Sequence, residues 1–143
     1  MKKLFPYLLL MLIMPAMLSS CKKDKIDDEP STVSEKWFFE KVVEEEYNSA
    51  GVVVNTETDT EWTVNDYLLL HTDGKFEFVQ DGDKITGTYK IENSVMTLTF
   101  QETSTITTTI TVTVAEKSAS RFTFYSDETF QGVRYRSTVY LKK

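Results

Sequence analysis

From Glu35 to the end of the chain, apolar and polar residues alternate with a period of two, in runs rich in Thr, Val, Ile, Phe and Tyr. Successive side chains of a β-strand point to opposite faces, so this pattern predicts half-buried strands. Turn residues separate the runs, most clearly Asp73-Gly74 and Asp81-Gly82, because Asp-Gly tolerates the positive φ angles of tight hairpin turns. The predicted strands cover residues 37–47, 51–58, 62–70, 76–79, 85–91, 95–100, 105–114, 121–125 and 133–141.

Two of these segments carry further expectations. The acidic run Glu44-Glu45-Glu46 weakens the far end of the first strand, where a helix is the alternative. In the segment 105–114, one face is expected to carry apolar side chains and the other threonines. The apolar set is Ile106, Ile110, Val112 and Val114, and the threonine set is Thr105, Thr107, Thr109, Thr111 and Thr113.

The connections between predicted strands are short and leave no room for helical crossovers, so neighbours in sequence should pair antiparallel. The sequence therefore predicts an all-β fold, either a sandwich or a barrel. A simple up-and-down order favours the barrel, because closure leaves no exposed strand edge. A barrel of about eight strands is either just filled by its own side chains or holds one small ligand.

The N-terminus has the organisation of a secretion signal. Lys2 and Lys3 precede an apolar run over residues 4–18, which is shorter than the roughly 20 apolar residues of a membrane-spanning helix. Leu18-Ser19-Ser20-Cys21 follows this run. It resembles the lipobox of bacterial lipoproteins, in which the cysteine receives a diacylglyceryl group and becomes the first residue of the mature protein.

That resemblance implies a signal peptide over residues 1–20 and a membrane anchor of two or three acyl chains on Cys21, enough for lasting attachment. Residues 22–34 are polar apart from Ile26 and Val33, so residues 21–34 are expected to form the lipidated cysteine and a flexible tether. In the lipoprotein family, Lys22 after the cysteine favours the outer membrane. The acidic run at 27–29 resembles surface-export signals, so the domain faces either the periplasm or the cell surface. Cys21 is the only cysteine, which excludes an internal disulfide.

Four units in the remaining chain carry a second resemblance. They are Trp37 in the first strand, Leu-x-x-x-Asp-Gly-x-Phe at 69–76, Gly-Thr-Tyr-x-Ile at 87–91 and Met-x-Leu-x-Phe at 96–100. Together they resemble the lipocalin-like domains of Gram-negative envelope lipoproteins, over residues 35–143. The resemblance implies an antiparallel up-and-down barrel.

Charge argues against nucleic-acid binding. Loss of residues 1–20 removes two of the 16 basic residues, leaving 14 against 22 acidic residues, a net charge of −8. Phosphate backbones are bound by clustered Lys and Arg, whereas the arginines here are scattered.

No catalytic or metal-binding constellation stands out in the sequence, and no cofactor is expected. His71 is the only histidine and has no thiol or second histidine to join it. Glu77 alternates with Phe76 and Phe78 and should therefore face outward. Asp81 and Asp83 flank a turn glycine without the ligand pattern of a calcium loop. The acidic run at 44–46 is expected to be a solvated face. The sequence predicts a protein that is not an enzyme.

Aromatic residues are the strongest candidates for a binding site, since they fall at alternating strand positions. They either line a ligand cavity or fill the core. The set is Trp37, Phe39, Phe76, Phe78, Tyr89, Phe100, Phe122, Phe124 and Tyr135.

Two functions remain open from the sequence. In the first, a lipid-anchored barrel binds a small apolar or amphipathic ligand. In the second, a filled barrel presents its strand edges and loops to an envelope protein partner.

Overall fold

The computed structural model describes residues 34–143. The predicted signal peptide, Cys21 and all of the predicted tether except Ser34 lie outside the described residues. The strands are β1 (Glu35–Tyr47), β2 (Val53–Asp59), β3 (Tyr67–Leu70), β4 (Lys75–Gln80), β5 (Asp83–Glu92), β6 (Val95–Gln101), β7 (Thr107–Lys117), β8 (Arg121–Phe130) and β9 (Val133–Lys142).

Eight of the nine strands close into an antiparallel barrel, as predicted from the strand pattern. Pairing runs from β3 to β9 in sequence order, and β1 completes the ring by pairing with both β3 and β9. The remaining strand, β2, pairs with the second half of β1, from Val42 to Tyr47, and within residues 34–143 has no partner on its other edge. The all-β barrel of about eight strands is confirmed.

The predicted first strand is confirmed through its acidic run and the helical alternative is excluded, whereas three other segment predictions need correction. The acidic run Glu44–Glu46 is strand and not helix, because it is held between β2 and β9. Only 67–70 of the segment 62–70 is strand. The carboxylate of Asp66 accepts hydrogen bonds from the Thr63 amide at 2.7 Å and the Asp81 amide at 2.8 Å, which folds residues 63–66 into a turn. Strand β7 begins at Thr107, leaving Ile106 in an exposed loop, and β8 continues to Phe130.

Short turns set the register of the hairpins. Asp81 and Gly82, with φ angles of 50° and 88°, form the two-residue connection between β4 and β5 that the Asp-Gly pair predicted. Positive φ at both central positions gives a turn whose twist matches that of the strands. Phe78 consequently lies opposite Ile85, and Phe76 opposite Gly87.

A β-bulge in β1 changes which side chains face the barrel interior. Phe39 pairs with Leu141, but the next pairs are Lys41 with Tyr140 and Val42 with Val139, so Glu40 is an extra residue. Directly paired residues share a face of the sheet. The inward positions of β1 therefore shift from odd to even numbers after Phe39.

The two ends of the barrel differ. We call the end with the loops 71–74, 93–94 and 118–120 the base, and the end with the loops 48–52, 81–82, 102–106 and 131–132 the mouth. Side chains that are at most 2% exposed fill the interior toward the base: Trp37, Leu68, Leu70, Met96, Phe122 and Leu141.

Ion pairs cover the base. Glu35 accepts from Lys117 Nζ at 2.6 Å and lies 3.4 Å from Lys143 Nζ, which also sits 4.5 Å from the centre of the Trp37 ring. Burial alone raises the pKa of Glu35, but these two lysines outweigh burial and lower it. The base thus combines an apolar plug with a compensated charge cluster.

Candidate ligand cavity

An apolar cavity of about 120 Å³ lies on the mouth side of the Trp37 plug. This volume is well above the roughly 10–15 Å³ that holds one water and close to the roughly 150 Å³ of a cavity known to take up benzene. The cavity is lined by Phe39, Leu68, Phe76, Phe78, Ile85, Leu98, Phe100, Ile110, Val112, Phe124, Ser126, Ser137 and Val139.

Strand alternation explains this lining. Leu98 pairs with Ile110, so both side chains face the interior. Every second residue of a strand faces the same way, so Phe100 on β6 and Val112 on β7 also line the cavity.

Gly87 is the inward residue between Phe76 and Phe100, whose rings stand edge to face at 6.4 Å. A Cβ at position 87 would overlap the backbone carbonyl oxygen of Thr99 on β6 and would lie 2.8 Å from Phe76 Cε1 and 2.9 Å from Phe100 Cβ. The absence of a side chain at Gly87 makes room for these two cavity-lining rings.

Five of the nine predicted aromatic residues line the cavity: Phe39, Phe76, Phe78, Phe100 and Phe124. The other four do not. Trp37 and Phe122 form the buried plug, with ring centres 5.5 Å apart. Tyr89 donates its hydroxyl hydrogen to the His71 carbonyl oxygen at the base. Tyr135 is 39% exposed at the mouth.

One aromatic side chain beside the cavity was not predicted. The Trp62 ring stacks on Phe39, with ring centres 4.7 Å apart, and Phe39 in turn meets Phe78 edge to face at 5.5 Å. The sequence pattern predicts a strand at Trp62, whereas this residue belongs to the loop between β2 and β3. This loop adds an aromatic group to the side of the barrel where β2 and β3 separate.

Polar groups replace apolar ones where the cavity approaches the mouth. Ser137 on β9 lies opposite both Ser126 on β8 and Glu44 on β1. Ser137 is only 7% exposed and lines the cavity, yet its Oγ has no hydrogen-bond partner among the described residues. In the next row toward the mouth, Tyr135 lies opposite Glu46 and Glu128. The inner surface of the mouth is therefore polar and acidic.

Two carboxylates of this inner surface, those of Glu44 and Glu128, are partly desolvated. Burial raises the pKa of Glu44, and the nearby charges of Glu57 and Asp59 on β2 raise it further. Burial also raises the pKa of Glu128, whose Oε1 is buried without a hydrogen-bond partner within residues 34–143. We call Glu44 and Glu128 the mouth carboxylates. The expectation of a solvated face for the run at 44–46 is wrong for Glu44, because the bulge at Glu40 turns it inward.

Basic residues near the mouth carboxylates lie on the outer face of the sheet. Arg134 and Arg136 each hold Asp127 at 2.9 Å, and their guanidinium groups also stack over Tyr47 and Tyr125. These contacts lower the pKa of Asp127, chiefly through the hydrogen bond from Arg136. Among the described residues, no lysine or arginine forms an ion pair with either mouth carboxylate.

The other polar candidates lie apart from the cavity. Glu77 is on the outer face as predicted, where it pairs with Lys84 at 2.6 Å and with His71 Nε2 at 3.4 Å. Asp81 lies in a turn held by Asp66. Within residues 34–143, no three His, Cys, Asp or Glu side chains come together as metal ligands.

Exposed apolar side chains concentrate at the mouth. Six of the eight large exposed hydrophobic residues in the described part of the chain lie in the mouth loops or at the strand ends beside them, whereas Val64 lies in the loop before β3 and Val95 lies near the base. The six are Val52, Val53, Val54, Ile106, Phe130 and Tyr135. These exposed apolar side chains lie around the opening of the barrel, beyond its polar inner surface.

Comparisons of the chain with models of protein families, with curated proteins and with solved structures find no match. Within the described residues, no helix has the length and apolar character to cross a membrane.

Proposed function

We propose that this protein is a lipid-anchored envelope lipoprotein whose barrel binds a small apolar or amphipathic ligand without chemically changing it. One observation carries the proposal: an apolar cavity of about 120 Å³ lies inside the barrel, above a sealed base. Ligand sites are typically concave and apolar with a few polar groups, and Ser126 and Ser137 supply such groups here. A barrel of this size has room for one small ligand.

The cavity volume limits the buried part of the ligand to about the size of a benzene ring or a short alkyl chain. A larger ligand would place only one end in the cavity and rest the remainder on the exposed apolar side chains around the opening. Phe130, which is 53% exposed, and Ile106, which is 49% exposed, are suited to that contact. Such a ligand enters through the mouth, because the ion pairs of Glu35 and the Trp37 plug occupy the base.

The lipobox-like segment supports an envelope location. Lipidation of Cys21 would hold the protein at a membrane surface, and the polar segment 22–34 would separate the barrel from it. Lys22 favours the outer membrane, and the domain would face the periplasm or the cell surface. The kinship with lipocalin-like domains remains part of this proposal, supported by the barrel and the four sequence units.

Binding of hexan-1-ol, measured by isothermal titration calorimetry, tests the cavity directly. We expect saturable binding to the wild-type protein and loss of binding in Ile110→Trp, since the larger side chain fills the cavity. The matched control is Thr109→Trp, one position away on the outer face. Native mass spectrometry of protein purified from its own host should also detect a retained small molecule. No hexan-1-ol binding by a folded wild-type protein would contradict the proposal.

A second candidate function, binding to an envelope protein partner, is favoured by β2. All seven residues of this strand are exposed, and within residues 34–143 only one of its edges is paired. An unpaired edge can add a strand from another chain. Crosslinking in cells through residues 53–59 should then capture a partner, and a Val54→Pro variant should abolish capture. Absence of any crosslinked partner would count against this alternative.

A further inference from the structure

The mouth of the barrel places uncompensated acceptors next to the apolar cavity. The mouth carboxylates, Glu44 and Glu128, lie on the inner face of β1 and β8, two strands that flank β9. Between them on β9, Ser137 is more than nine-tenths buried, lines the cavity and has an unpartnered hydroxyl. The two carboxylates and the hydroxyl therefore lie on three adjacent strands and on the same inner face of the barrel.

The charge of these groups determines whether a cationic or an anionic ligand can bind beside them. An ionised carboxylate only accepts hydrogen bonds, and the buried Oε1 of Glu128 has no donor within the described residues. The neighbours of Glu44 on β2, Glu57 and Asp59, are also acidic. Every charged group named on this inner surface is therefore negative, and an anionic ligand would be repelled.

The base of the same barrel shows how a carboxylate is normally compensated in this protein. Glu35 also faces the interior, but Lys117 and Lys143 neutralise it. On the outer face Asp127 has two arginines. The mouth carboxylates have no such partner among the described residues, although Arg134 and Arg136 are on the neighbouring strand and point to the opposite face.

We propose that the ligand is a cationic amphiphile, in which a primary ammonium group binds the mouth carboxylates and Ser137 while a short apolar body occupies the cavity. This inference rests on the proposed function and adds the class of ligand. An ammonium group carries three hydrogen-bond donors, which match the carboxylate oxygens and the Ser137 hydroxyl oxygen. The partly exposed ring of Tyr135, opposite Glu128, offers a further face to a cation.

Three probes with the same six-carbon chain test the inference: hexylamine, which is protonated at neutral pH, hexan-1-ol and hexanoate. We expect hexylamine to bind about tenfold more tightly than hexan-1-ol, equivalent to roughly 1.4 kcal/mol, and hexanoate to bind most weakly. Raising the salt concentration should reduce the preference for the amine, because ions screen charge pairs that water can reach.

The variant Glu44→Gln/Glu128→Gln keeps the shape of both side chains and removes their charge. It should bind hexylamine and hexan-1-ol with affinities within about twofold of each other, while its affinity for hexan-1-ol stays at the wild-type level. The matched control, Glu45→Gln/Glu116→Gln, makes the same change in net charge at positions outside this inner surface. It should keep the preference for the amine.

The outcomes separate the two proposals. If hexan-1-ol binds but hexylamine binds no better, the cavity function stands and the cationic ligand is refuted. If neither probe binds the folded wild-type protein, both proposals fail. Should the double variant not fold, the ratio of amine to alcohol affinities in the wild-type protein, and its decline with salt, still decides the matter.

Discussion

Glu44 on β1 and Ser137 on β9 lie directly opposite each other on the inner face of the barrel. The Ser137 hydroxyl is buried without a hydrogen-bond partner in the described part of the chain, and the Glu44 carboxyl is partly buried beside other acidic residues. Buried polar groups are usually hydrogen-bonded, so an unpaired buried hydroxyl beside a partly buried carboxyl is unusual in a folded protein. Departures of this kind are concentrated at functional sites, where binding competes with stability.

The first prediction concerns the stability cost of the mouth carboxylates. Their pKa values are raised in the folded protein, chiefly by burial. A raised carboxyl pKa means that ionisation destabilises the fold as pH rises through it. Glu44→Gln and Glu128→Gln should therefore each raise Tm at pH 7, with an increase in the free energy of unfolding of less than about 1 kcal/mol because water still screens these groups. Thermal denaturation by circular dichroism measures this.

The same experiment has a pH signature. The gain from Glu44→Gln should shrink as the pH falls to the ordinary carboxyl pKa of 4.5 and below, where the wild-type side chain is protonated in both states. A gain that stayed constant across this pH range would show that charge is not its cause.

The second prediction concerns Glu35 at the base, whose ionisation should stabilise the fold and not destabilise it. The lysines beside Glu35 lower its pKa, so its stabilising effect is present above the ordinary value of 4.5 and is lost as pH falls through the lowered value. Glu35→Gln should destabilise the protein at pH 7, by about 1 kcal/mol or less. The difference from wild type should disappear in acid. An equal loss at every pH would instead indicate a packing effect.

The third prediction concerns space for the aromatic rings. Gly87→Ala places a Cβ against the Thr99 carbonyl oxygen and within 3 Å of both Phe76 and Phe100, and it should lower the free energy of unfolding by about 1–3 kcal/mol. Thr88→Ala, at the next and outward-facing position, should change it by no more than about 0.5 kcal/mol. Urea denaturation compares the two variants. Similar stability for both would contradict the packing described for Gly87.

The fourth prediction concerns the anchor. In host cells, Cys21→Ser should abolish incorporation of a labelled fatty acid and release the protein from the membrane fraction, because its thiol is the proposed attachment point of the lipid. Lys22→Arg keeps the charge after the cysteine and should have no effect on either measurement. Membrane retention of an unlabelled Cys21→Ser protein would argue against lipid anchoring.

The sequence predicted the barrel well because local signals were strong. Alternation identified the strands, and Asp81-Gly82 fixed a hairpin whose register follows from two positive φ angles. Phe39, Phe76 and Phe100 were predicted near a cavity because their strand positions alternate with polar residues. These features depend on neighbours in sequence.

The mouth carboxylates could not be predicted in the same way. Counting by twos from Trp37 and Phe39 places Glu45 inside and Glu44 outside, and only the bulge at Glu40 reverses this. A shift of one residue turns every later side chain to the other face. No local pattern in the run at 44–46 marks such a bulge. Ser137 could not be identified as a cavity residue from the sequence, because its burial depends on pairing with β1 and β8.

Methyl NMR spectroscopy during titration with hexan-1-ol tests the central claim, that the barrel cavity binds a small apolar group. We predict saturable shifts for the methyl groups of Ile85, Leu98 and Ile110, which line the cavity, and none for Val95, which is 38% exposed near the base. A common affinity from all three cavity residues would support one internal site. Unchanged cavity methyl signals, or shifts that grow without saturation at Val95 as well, would contradict the claim.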